Sequence, residues 1–152
     1  MQHLASSMLP QLTRLELGQC DAGAGMCKAL VKGNRPHLAV LNLAKNRLGS
    51  ADVQDLAEGH LPALASLNLH WNDIGMQTST CFWGLCDWPC LTAMTISHCY
   101  LGVSDIEALV KCRHWPLLAH LDVSHNRLES KYLKSLAQGQ WPALLELCLA
   151  KQ

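Results

Sequence analysis

Charge is scarce in this sequence. Only 16% of its 152 residues are charged, and twelve Lys and Arg stand against twelve Asp and Glu, leaving a formal net charge of zero with histidine neutral. A nucleic-acid binder normally carries a surplus of Lys and Arg to neutralise phosphates, so the balance argues against that class. No stretch of about 18 apolar residues occurs, so no membrane-spanning helix is expected. The opening residues, Met1-Gln2-His3-Leu4-Ala5-Ser6-Ser7-Met8-Leu9, lack a basic segment followed by an apolar one, so no export signal is read there. A Gly-rich phosphate loop and an ordered Ser-His-Asp set are also missing, which leaves no enzyme motif to follow.

What is there is largely apolar. Hydrophobic residues make up 49% of the chain, which fits a packed globular protein rather than a disordered one. Eight cysteines are present. Several occupy places that equivalent segments fill with small apolar residues or Asn, and buried free Cys behaves as a small hydrophobe. With no export signal, reduced thiols in a cytoplasmic protein are the expectation.

All six prolines, Pro10, Pro36, Pro62, Pro89, Pro116 and Pro142, fall in one register, at successive steps of 26, 26, 27, 27 and 26 residues by subtraction. A fixed period of this size marks a solenoid of repeats. Each proline opens a line Leu-x-x-Leu-x-Leu-x-x-Asn-x-Leu, as in Leu118, Leu121, Val123, Asn126 and Leu128, or Leu38, Leu41, Leu43, Asn46 and Leu48. The alternation of its central residues predicts a short strand with one face in the core. Six strands are expected near 14–17, 40–43, 66–69, 93–96, 120–123 and 146–149.

The turn residue that follows is Cys20, Asn46, Asn72, Cys99 or Asn126, a side chain able to bond backbone groups as the chain leaves the strand. Beyond it, apolar slots at +7, +10 and +11 form the stripe of an amphipathic helix. Examples are Val53/Leu56/Ala57, Ser79/Phe82/Trp83 and Ile106/Leu109/Val110. Five helices are expected near 24–33, 51–58, 77–86, 104–112 and 130–139. Ser50 and Ser130 are the expected N-caps, and Ser104 with Glu107 has capping-box spacing. Residues 1–152 therefore read as one repeat domain, about five full copies with a partial copy at each end. It is expected to be an excerpt of a longer array, with flanking repeats or a cap at its open ends.

These lines resemble the leucine-rich repeat family, in the strand-turn-helix variety akin to ribonuclease-inhibitor-like and cysteine-containing repeats. The resemblance implies a right-handed, curved α/β solenoid with parallel strands on the concave face and helices on the convex face. It implies a protein-binding role rather than an enzyme, without a cofactor.

The concave candidates follow from alternation. Strand slots facing outward include Arg14, Asn68, His120 and Asp122. Just past the strands, Gln19, Lys45, Trp71, His98, His125 and Lys151 form one ladder, with His70 beside Trp71. An exposed Trp is a typical interface anchor. The expected partner-binding patch is therefore Trp71, His70, His98, His120, Asp122, His125, Asn68, Lys45 and Arg14. Trp88, Trp115 and Trp141 each precede a repeat proline and are read as structural wedges. The competing reading places a metal or small ligand among His98, His120, His125 and Asp122, with hydrolysis as its extension.

Overall fold

In a computed structural model, residues 9–77, 82–112, 114–126 and 128–151 are described. Met1 to Met8, Ser79, Cys81 and Gln152 lie outside the described residues, as do the side chains of Phe82 and Leu133. Six three-residue strands form: β1 (Arg14–Glu16), β2 (Val40–Asn42), β3 (Ser66–Asn68), β4 (Ala93–Thr95), β5 (His120–Asp122) and β6 (Glu146–Cys148). They lie side by side in chain order in one sheet, every pair parallel. Equal slots meet across every pair, so Leu15, Leu41, Leu67, Met94, Leu121 and Leu147 run as one row.

That row faces the core. Leu41, Leu67, Met94 and Leu121 are each 1% exposed. Fully burying such a side chain contributes roughly 1.5–3 kcal/mol. Three-residue strands are too short to persist alone, so the stability of the sheet rests on this continuous apolar row.

Among the described residues four α-helices complete the core: α1 (Met26–Lys32), α2 (Ser50–Ala57), α3 (Val103–Lys111) and α4 (Ser130–Leu136). The helices α2 and α4 begin at Ser50 and Ser130, the residues expected to cap them, and α3 begins one residue before Ser104. Gly49 and Gly102 hold the cap positions, and their N–H groups donate to Asp52 Oδ2 at 3.1 Å and Asp105 Oδ2 at 2.9 Å. A carboxylate in the first turn satisfies an orphan donor and faces the positive end of the helix dipole. Asp52 also accepts from Gly25 N–H at 2.7 Å, tying the start of α1 to the start of α2.

The segment expected to be a helix over 77–86 is different. Residues 78–81 lie outside the described residues, and the described residues to either side hold two single-turn 3-10 stretches, Ile74–Gln77 and Phe82–Leu85. Where Gly49 and Gly102 have an Asp three residues on, Gly75 has Thr78, so the capping carboxylate is missing. Ser, Thr and Cys crowd this stretch, and all are weak helix formers.

The turn residue staples neighbouring copies together. Asn46 Nδ2 donates to Leu43 O at 3.0 Å in its own turn and to Leu17 O at 2.7 Å in the copy before. Its Oδ1 accepts from Cys20 N–H and Ala22 N–H, both at 3.1 Å. Asn72 and Asn126 repeat this pattern one and three copies on. One carboxamide thus satisfies buried donors and acceptors from two copies at once.

A wall of tryptophan closes the later copies. Trp83, Trp88 and Trp115 are at most 1% exposed, and Trp141 is 8% exposed. Trp88 stacks on Trp115 with centroids 6.2 Å apart, and Trp83 meets Trp115 edge-on at 6.4 Å. The slot before the proline is Arg35 in the second copy. Its buried guanidinium donates to Leu30 O and Gly33 O at the end of α1, where a cation suits the negative end of the helix.

Candidate functional site

Past the end of each strand the chain makes one unusual step. Gln19, Lys45, Trp71, His98, His125 and Lys151 all have positive φ, at 59°, 58°, 55°, 53°, 57° and 49°. Non-glycine residues seldom sit there, and a bulky residue such as Trp is an outlier. The backbone holds the step by bonding across copies. Gln19, Lys45, Trp71, His98 and His125 donate their N–H to Ala44, His70, Ser97, Ser124 and Ala150 carbonyls at 2.8–3.1 Å. A second device works just before it. Asn42 Oδ1, Asn68 Oδ1 and Asp122 Oδ1 each accept the N–H two residues on, at 3.0, 3.0 and 2.9 Å. These short Asx turns explain why the chain leaves the strand with this geometry.

The result is a rim of side chains on a pinned backbone. Trp71 is 54% exposed. Lys45 Nζ lies 5.9 Å from its ring centroid, within cation–π range. His98 lies 5.1 Å from Trp71 on the other side, and His125 stacks on His98 at 4.1 Å with planes 13° apart. His70 meets His98 edge-on at 5.3 Å, with its Nδ1 2.7 Å from Ser97 Oγ. A continuous line therefore runs from Lys45 through Trp71 and His98 to His125.

This line borders a cleft of ≈ 610 Å³, also lined by Gln19, Arg47, Asp73, Tyr100 and Asn126. Tyr100 is 54% exposed. Sequence reasoning did not single out Arg47, Asp73 or Tyr100. Each follows the turn Asn or Cys directly, and that column was open to the same register argument that gave the ladder.

The nine expected binding residues divide. Lys45, Trp71, His98 and His125 come together on the cleft, with His70 against them. Asn68 and Asp122 are half-buried and engaged in their own turns. Arg14 and His120 are elsewhere on the strands. Arg14 pairs with Glu16 at 2.6 Å, and His120 Nδ1 meets Glu146 Oε2 at 3.0 Å. The single patch expected from alternation is thus a rim cleft plus separate polar pairs on the strands. Alternation fixes which face a strand residue takes, but the left-handed step sets the rim apart from the strands.

Electrostatics follow the same division. His98 is held below its ordinary value by desolvation and by the neighbouring His125, with Asp122 acting the other way and Lys151 adding to the depression. His70 is lowered by burial, then by His98 and Lys45. Glu146 is lowered by its hydrogen bonds from His120 and Cys148. That carboxylate in turn raises the Cys148 thiol, so Cys148 is not an activated nucleophile. Burial pushes Cys99 up to about 12, partly offset by the Asn72 and Trp71 amides. Its Sγ donates to Leu69 O at 3.2 Å and Ser97 O at 3.3 Å, as a structural thiol does.

Among the described residues, no group of three or more His, Cys, Asp or Glu is placed to hold a metal ion. His120 turns to Glu146 rather than to His98 and His125, so the metal-site reading lacks its cluster. Cys20, Cys27, Cys90, Cys99, Cys112 and Cys148 are free thiols. No described helix is long and apolar enough to cross a membrane.

No protein-family model and no curated protein matches this sequence. Solved structures do resemble it in fold. One is the tropomodulin C-terminal domain from Caenorhabditis elegans, with a TM-score of 0.61 and 11% identity, covering 91% of this chain and 87% of that one. Another is leiomodin-1 actin-binding site 2, with a TM-score of 0.54 and 16% identity, covering 97% of this chain and 76% of that one. At such identities the likeness is one of fold: an α/β chain built on a six-stranded, all-parallel sheet.

Proposed function

We propose that this chain is a leucine-rich repeat scaffold that binds a protein partner and catalyses no reaction. It is a right-handed solenoid of the ribonuclease-inhibitor-like kind, its sheet on the concave side, working in the cytoplasm. One observation carries the reading. Trp71 is 54% exposed and sits at φ 55°. Strain of this kind costs about 1–3 kcal/mol and persists where the surroundings enforce it. The fold asks for a left-handed step at that rung, but it does not ask for tryptophan. Gln19 and Lys45 make the same step with flexible polar side chains. A large apolar ring held in water on a rigid backbone is the arrangement of an interface anchor.

Leiomodin-1 supplies a first partner to try, because its matching fragment is named as an actin-binding site. The test compares two variants. Trp71→Asn keeps a residue that tolerates positive φ and removes the ring. Leu85→Asp alters an exposed apolar residue away from the rim. Purified actin, and then proteins captured from cell extract, are titrated against parent and both variants, with melting curves to confirm folding. The expected result is a partner weakened more than about five-fold by Trp71→Asn and unaffected by Leu85→Asp, the loss of about 1 kcal/mol that marks an anchor. Partners that bind all three proteins equally would overturn the rim as the docking surface.

A further inference from the structure

The chemistry of the rim cleft specifies its occupant further, an inference that rests on the docking role proposed for Trp71. The cleft is lined by two permanent cations, Lys45 and Arg47, against one carboxylate, Asp73. Arg47 also faces Asp21, but at 3.8 Å and with both side chains about four-fifths exposed, at 81% and 79%, that pair is weak. The remaining titratable walls are His98, His125 and Tyr100. The imidazoles stack at 4.1 Å, too close for both to hold a proton easily without a compensating anion. Trp71 and Tyr100 supply exposed aromatic surface on the same cleft.

We propose that the occupant is an acidic, extended segment of a protein partner, and that its docking draws a proton onto the His98–His125 pair. Carboxylates of the segment lie against Lys45, Arg47 and the imidazoles, and an apolar side chain rests on Trp71. From Lys45 to His125 is three rungs of about 4.8 Å, which matches four or five residues of extended chain. The groups that face His98 are His70 and Trp71 on the turn after β3, Asp122 on β5, His125, and Lys151 after β6. Asp122 alone among them favours the proton, and its Oδ1 is engaged with Ser124 N–H. A bound carboxylate supplies the missing counter-charge. The sign follows: affinity rises as pH falls through the histidine range, while Glu side chains near pKa 4.3 stay mostly ionised at pH 5.5.

The experiment is fluorescence anisotropy with three labelled five-residue peptides around a central Leu, flanked by Glu, by Gln or by Lys. Titrations run at pH 7.5 and 5.5 and one fixed low salt concentration. The Glu peptide is expected to bind at least ten-fold tighter than the Gln peptide and to gain several-fold at pH 5.5. His98→Asn, compatible with the left-handed backbone, should abolish that gain, and Lys45→Glu should weaken the Glu peptide at both pH values. Equal binding of the Glu and Gln peptides, or preference for Lys, overturns the acidic occupant. A pH-independent Glu titration, or a gain that survives in His98→Asn, overturns the proton uptake. If no peptide binds but Trp71→Asn still releases a captured protein, the acidic segment is wrong and rim docking stands. Melting curves of each variant exclude loss of fold as the cause.

Discussion

At the joint between the fourth and fifth copies, Asn126 Oδ1 accepts from Cys99 N–H at 2.9 Å and Leu101 N–H at 3.1 Å. One joint earlier, between the third and fourth copies, the same position is Cys99. A thiol donates weakly and accepts weakly, so it holds the amides of the copy before less firmly than a carboxamide does. The chain of the third copy takes another course. Asp73 N–H bonds Leu48 O at 2.8 Å, and Gly75 N–H bonds Cys99 O at 2.9 Å. Asp21, Arg47 and Tyr100, whose turns a following Asn holds, have positive φ at 47°, 56° and 57°. Asp73 is the one described residue of that column that lacks it. Gly75 then passes so close to the Tyr100 and Leu101 backbone that a Cβ would clash. The contrast teaches that the conformation of a turn here is set partly by the residue one repeat later.

The widest test asks whether the two joints share one core. Leu67→Ala on β3 removes a side chain 1% exposed in the third copy, beside the earlier joint. It should cost about 2–5 kcal/mol in chemical denaturation. A cost within about 0.5 kcal/mol, typical of surface changes, would mean the strand register assigned here is wrong.

A sharper test treats the joints separately. Asn126→Ala strands two buried amides and the carbonyls of Ile96 and Val123, and should cost about 3 kcal/mol. Cys99→Ala loses two weak thiol bonds and should cost about 1 kcal/mol. Equal losses would erase the distinction between the joints. The converse change, Cys99→Asn, restores the carboxamide. It should stabilise the protein by about 1 kcal/mol and slow amide hydrogen exchange at Asn72 and Ile74. Unchanged exchange there would show that Gly75, not Cys99, dictates the turn.

The smallest expected effect comes from the rim. His98 and His70 have folded-state values below the unfolded value of about 6.5. The unfolded chain therefore binds more protons, and stability falls as pH drops through and below that value. His98→Asn should flatten part of this slope between pH 7 and 5, measured by melting temperature. A slope that steepens instead would reverse the sign assigned to the histidine pair.

These comparisons also show what the sequence made legible. The strands were placed to within a residue, because proline register and the core-facing row Leu15 to Leu147 are properties of composition and period alone. The helix after Asn72 was not, although its missing Asp at Thr78 was visible. The stripe Ser79, Phe82 and Trp83 satisfied the periodicity, and periodicity ignores capping. The rim was half legible. Lys45, Trp71, His98 and His125 fall in one column by counting, but nothing in those residue types announces positive φ. No glycine marks the step, since hydrogen bonds between copies enforce it. Arg14 went to Glu16 on its own strand and His120 to Glu146, 26 residues on, because a strand face offers such partners as readily as a ligand does.

The left-handed step also governs how this surface can change over time. Every rung needs a side chain that tolerates positive φ, so β-branched residues such as Val, Ile and Thr are disfavoured there whatever a partner selects. Binding variety must come from the remaining alphabet, rich in Asn, Asp, His, Lys and Gln, with an occasional costly aromatic. A combinatorial library on this scaffold would waste most of its β-branched members at the rungs. It would find its freedom two residues later, at Asp73, where the backbone does not impose that restriction.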